Sequence, residues 1–100
     1  MRYLVIDGML NGTGIRDIGE NKYIRPDELK LDKILVERIR NWLEKYALAY
    51  YENFINKDRI EALDTEGIEI TIAIKKALPT CKIDYYYSAA KSERIYTFNI

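Results

Sequence analysis

The residues of this chain that could do chemistry are few, and they do not assemble into a working set. Asp58, Glu61 and Asp64 recur at steps of three, which on a helix brings three carboxylates to one flank and offers oxygen ligands to a hard cation. The row lacks the turn that wraps a calcium ion, so no metal is expected there. Asp64 and Glu66 stand two apart, do not face each other on a helix, and cannot work as an acid–base pair. Cys81 would need a histidine beside it to become a nucleophile, and the chain contains no histidine. The stretch Asn11-Gly12-Thr13-Gly14-Ile15-Arg16-Asp17 has the glycine content of a phosphate cradle. It has neither the Gly-Lys-Ser/Thr ending of a P-loop nor the spacing of a dinucleotide fingerprint. A tight turn between short extended pieces, its glycines supplying positive φ, accounts for it better. The expectation is a binding protein with no cofactor and no catalytic residue, rather than an enzyme.

The tyrosines point the same way. Nine of them are present, with three consecutive at Tyr85-Tyr86-Tyr87 and two at Tyr50-Tyr51. On a strand, neighbouring side chains face opposite sides, so three adjacent rings cannot all enter one core. Exposed tyrosines offer large contact area at low entropic cost and are enriched in binding surfaces. Stacking on bases is the competing use, but it normally comes with a basic groove. Sixteen basic and sixteen acidic residues leave a formal charge of zero, which argues against direct contact with nucleic acid. The balance hides a gradient. Between Glu52 and Glu69 the acids Glu52, Asp58, Glu61, Asp64, Glu66 and Glu69 face only Lys57 and Arg59. An acidic segment of this kind can steer a basic partner.

The elements that must position these residues are legible in outline. Tyr3 to Ile6 reads as a strand stopped by Asp7-Gly8, followed by a glycine-rich loop of about twenty residues. Pro26 opens a turn or a single helical turn. Asp32 is the expected N-cap of the main helix, with Leu31 and Val36 spaced as a hydrophobic staple. Leu35, Ile39, Trp42, Leu43, Tyr46, Tyr50 and Phe54 then recur at helical spacing, which places Trp42 in a core stripe rather than at an interface. Asp58 is read as the cap of a second helix running to Leu78 and stopped by Pro79. Ile68, Ile70, Thr71, Ile72 and Ile74 would equally suit a strand, but Lys75-Lys76 and Pro79 favour helix. Gly67 inside that helix is expected to permit close packing against the first helix or a partner. Lys82 to Ser88 alternates as a strand, with Ile83, Tyr85 and Tyr87 on one face and Lys82, Asp84 and Tyr86 on the other. Arg94 to Asn99 is the last strand. The expected architecture is one α+β domain over residues 1–100, two main helices on a small, mostly antiparallel three-stranded sheet. A lone cysteine, no apolar N-terminal run and no stretch long enough to cross a bilayer lead to a cytoplasmic expectation, without membrane contact.

One set of residues carries a resemblance. Leu63-Asp64-Thr65-Glu66-Gly67-Ile68-Glu69-Ile70, then Leu78-Pro79 and Lys82-Ile83-Asp84-Tyr85-Tyr86, resembles small bacterial immunity proteins. The string from Leu10 to Asp17 and the helix bearing Trp42, Tyr46 and Tyr51 resemble them too. The likeness covers most of the chain through short motifs, and Thr71 to Ile74 departs from it, where a more charged helix surface belongs. The resemblance implies a protein encoded beside a polymorphic toxin of the contact-dependent-inhibition or Rhs type. In interbacterial competition, such a protein protects its producer by binding the toxin's C-terminal domain. No catalytic role carries over, because that function rests on no fixed set of residues. Against a nuclease toxin with a basic groove, the expected contacts are Glu61, Asp64, Glu66 and Glu69, with Tyr51 and Tyr86 as aromatic anchors. Two alternatives stand beside it: a nucleotide-binding protein or small enzyme using the 8–19 glycine loop, and a regulatory module that self-associates through its tyrosines.

Overall fold

Strand and helix follow one another as three strands, two helices and two strands in a computed structural model, which describes residues 2–97. Strands β1 (Leu4–Asp7), β2 (Ile15–Asp17) and β3 (Lys22–Tyr23) form a meander. A single turn of 3-10 helix at Pro26–Leu29 leads to helices α1 (Lys33–Tyr51) and α2 (Lys57–Ala77), and a hairpin of β4 (Tyr85–Ser88) and β5 (Glu93–Tyr96) closes the fold. The sheet order is β3-β2-β1-β4-β5, with β1 and β4 parallel at its centre and every other pair antiparallel.

The α+β class is as expected, but the sheet is mixed and, among the described residues, five-stranded rather than three-stranded. The two extra strands lie inside the glycine-rich segment. At three and two residues they are too short for an alternating pattern to register. Among the described residues Gly14 is the one glycine with positive φ (93°), and the other left-handed turn positions of this segment are Asn11 and Asn21. Gly8 and Gly12 serve close approach instead, because a Cβ on either would run into the rings of Tyr46 and Tyr23. The last strand ends at Tyr96, and the expected end at Asn99 lies outside the described residues.

Asp32 caps α1 as its sequence position implies, its carboxylate accepting from the Leu35 amide at 2.8 Å. The cap of α2 is Asn56, which accepts from the Arg59 amide at 3.1 Å. Asp58 falls in the first turn, where its charge suits the helix dipole without closing the end. Both helices pack on one face of the sheet. Leu35, Ile39, Trp42 and Tyr46 of α1 meet Leu63, Ile70 and Ile74 of α2 above Leu4, Ile6, Ile15 and Tyr86. Trp42 is fully buried, and its indole donates to the Leu63 carbonyl at 2.9 Å, tying the helices together. No helix among the described residues is long and apolar enough to cross a membrane.

The strand that carries the tyrosines is out of step with its simple pattern. Tyr3 bridges Lys82 and Ile6 lies opposite Tyr86, so three steps along β1 match four along the partner strand. That extra residue is a bulge, and it lets Ile83 and Tyr86 both enter the core although they stand three apart. Tyr85 lies on the far face of the sheet, packed against Tyr96 with ring centres 5.5 Å apart and under the Arg94 guanidinium.

Candidate functional site

Two of the six residues assigned to a partner surface belong to the core instead. Asp64 is 3% exposed and Tyr86 is fully buried. The Asp64 carboxylate accepts hydrogen bonds from Tyr86 Oη at 2.7 Å, Ser88 Oγ at 2.9 Å and Tyr46 Oη at 3.3 Å, and Lys91 Nζ stands 3.6 Å away. Tyr46 Oη in turn accepts from the Ala90 amide at 3.1 Å. Burial pushes the Tyr86 phenol far above its ordinary value, so it stays a donor, and burial raises Tyr46 in the same way. This network fastens α2 to β4 and to the turn after it. Asp64 sits four residues after Ile60 and three before Gly67, so it belonged to the buried stripe of α2, a spacing the row of acids obscured. Tyr86 was misplaced because strand alternation gives two faces without saying which one is covered.

The other acids are exposed or half-exposed, and cations from α1 and from the β4–β5 turn meet them. Glu66 pairs with Lys45 at 2.8 Å and with Arg38 at 3.5 Å, Glu69 with Arg38 at 2.5 Å, and Glu61 with Lys91 at 2.6 Å. Arg38 and Lys45 are two helical turns apart and so lie on the same flank, facing α2. The acidic gradient read along the chain is therefore largely neutralised in space. These ion pairs are open to solvent and add little to stability individually. Lys91 is pushed above its usual value, chiefly by its hydrogen bond with Glu61.

Tyr51, the sixth residue, is at the surface in the company the sequence left unassembled. It is 72% exposed, Ile55 78% and Leu48 60%, with Tyr50 and Met9 beside the same end of the helix pair. A notch of about 230 Å³ opens next to Leu48, floored by Ala62 and Leu63 and rimmed by Lys45, Arg59 and Glu66. A second cavity of about 370 Å³ lies at the carboxyl ends of the parallel strands β1 and β4, between Met9, Tyr50, Phe54 and Tyr87. The available signal was Ile55, a large apolar residue standing in the polar break between the helices.

The outer face of the sheet holds one further cluster. Asp7 is fully buried there, accepting from Tyr23 Oη at 2.9 Å and from the Met9 amide at 3.3 Å, with Arg16 Nε at 3.5 Å. Desolvation raises the Asp7 carboxyl above its ordinary 3.8, outweighing the hydrogen bonds and Arg16, which pull it down. An acid with a raised folded pKa costs stability as it ionises, so this cost is absent below the usual carboxylate range, grows as pH rises from there, and is complete only above the raised folded pKa. Asp7→Asn is accordingly expected to be more stable than the parent at pH 7. The advantage should shrink as pH falls towards 4, as urea unfolding at several pH values would show. A constant difference across that range would mean that desolvation does not govern Asp7.

Among the described residues, no group of three or more cysteine, aspartate or glutamate side chains is placed to hold a metal ion. No family model, curated protein or solved structure matches this chain.

Proposed function

We propose that this chain is an immunity-type binding protein that neutralises the C-terminal domain of a cognate bacterial toxin by covering its active site or substrate groove. A nuclease is the simplest such toxin. The observation that carries the reading is the junction of the two helices, where Leu48, Tyr51 and Ile55 are each exposed and Leu48 lines a notch with an apolar floor and a charged rim. Exposed apolar clusters rimmed by polar groups mark interaction surfaces, and tyrosine is a frequent hot-spot residue. The resemblance of the 63–70 and 82–86 strings to immunity proteins supports the same class. Within it, the acids have a different task from the one the sequence suggested. Glu61, Glu66 and Glu69 can exchange an internal lysine or arginine for one on the toxin, which sets association rate and register, while the helix junction supplies the affinity.

Tagged protein co-expressed with the product of the adjacent upstream reading frame should recover a stable complex that suppresses that product's toxicity. Tyr51→Ala should weaken the complex about tenfold, equivalent to about 1.4 kcal/mol, with thermal stability unchanged because the ring is exposed. A neighbour that neither binds nor is suppressed would overturn the proposal. A dimer that no outside protein disrupts would replace it with self-association.

A further inference from the structure

The cavity at the carboxyl ends of β1 and β4 has features that the toxin-binding reading does not use. In sheets with parallel strands, ligands settle in the crevice beyond those ends, where neighbouring connections leave in opposite directions. Here β1 departs towards β2 on one side and β4 towards β5 on the other. The space of about 370 Å³ falls in the range of small-ligand sites. Its walls are aromatic and apolar (Tyr50, Phe54, Tyr87, Met9), and Asn11 and Ser92 stand among them. Among the described residues, the side chains of Asn11, Tyr50, Tyr87 and Ser92 make no hydrogen bond within the protein, leaving four polar groups around an apolar space.

The backbone adds a second, independent sign. Asn11, Phe54 and Ser92 all line the cavity in the left-handed region, with φ of 68°, 52° and 53°. That conformation is unusual for a residue as bulky as phenylalanine, and such strain collects at ligand clamps. Among the described residues, no lysine, arginine, aspartate or glutamate lines the space. A phosphate would therefore find no cation here, and the glycine loop contributes walls rather than a phosphate cradle.

We propose that this cavity binds one uncharged planar aromatic ring with hydrogen-bonding groups on its edge. The ring stacks among Tyr50, Phe54 and Tyr87 while its edge bonds Asn11 and Ser92. The ring can belong to a polypeptide side chain or to a free heteroaromatic molecule, and two probes separate these sources. The ¹⁵N-labelled full chain is titrated with N-acetyltryptophanamide, with adenosine, and with cyclohexylmethanol as a saturated control. At least one ring probe should give saturable shifts at the Met9, Asn11, Phe54 and Ser92 amides, at least tenfold tighter than the control, and the tighter of the two identifies the source. Tyr87→Leu should weaken that probe at least tenfold. Tyr50→Leu, on the exposed rim, should weaken it several-fold with the rest of the amide spectrum unchanged, and it serves if the first variant is unstable. The proposal fails if neither ring saturates, if the shifts lie elsewhere, if the saturated control binds equally well, or if Tyr50→Leu binds as tightly as the parent.

Discussion

Asp64→Ala is expected to lower folding stability by about 3 kcal/mol. The substitution strips the acceptor from Tyr86 Oη and Ser88 Oγ, both in fully buried residues, and from Tyr46 Oη. A buried donor left without a partner costs about 1–3 kcal/mol, and the three share one network, so their costs do not add in full. Lys91 escapes the same fate because it keeps Glu61. Asp64→Asn retains one acceptor oxygen and should fall between alanine and the parent. Glu61→Ala, one turn away on the same helix but exposed, should change stability by less than about 0.5 kcal/mol. Urea unfolding followed by the fluorescence of Trp42, which lies 5.4 Å from the Tyr46 ring, would measure all three. Equal effects of Asp64→Ala and Glu61→Ala would return Asp64 to the surface and restore it as a partner contact.

Gly67→Ala is expected to destabilise the protein by about 2 kcal/mol, against the direction of helix propensity. Alanine in a helix interior is favoured over glycine by about 1 kcal/mol, so on an isolated helix the change would be a gain. Here the added Cβ would lie 2.5 Å from Tyr86 Cζ and 2.8 Å from its hydroxyl oxygen. The ring cannot step aside, because Asp64 holds its hydroxyl and Trp42 lies against it with ring centres 6.0 Å apart. Overpacking of this kind costs about 1–3 kcal/mol or more, and it outweighs the propensity gain. A fall in melting temperature of about 10 °C follows for a domain of this size. Thr65→Ala on the exposed side of α2 should hold or slightly raise it. A rise on Gly67→Ala would mean that β4 can move away from α2.

The two substitutions also show where local reading stops. Gly67 was expected to permit close packing against α1 or a partner, and the close neighbour is a strand tyrosine nineteen positions on. The β-branched run from Ile68 to Ile74 is helical, as Lys75-Lys76 and Pro79 implied, because helix signals at the end of a segment outweigh weak propensities within it. Asp64 and Tyr86 each looked like a surface residue alone. As a pair they satisfy one another, and such pairing is what makes a charged group tolerable inside a protein.

The sequence by itself determined the class, the two helices, the start of α1 and the burial of Trp42. Each of these rests on neighbours within a few residues, where periodicity and capping act. Only the tertiary structure decided that the sheet has a parallel centre and that the acids of α2 are answered by Arg38, Lys45 and Lys91. It likewise decided that Leu48, Tyr50, Tyr51 and Ile55 stay exposed where α1 ends and α2 begins. Those outcomes depend on which distant segments meet. A short strand or a lone acid carries no record of its partner until the chain has closed around it.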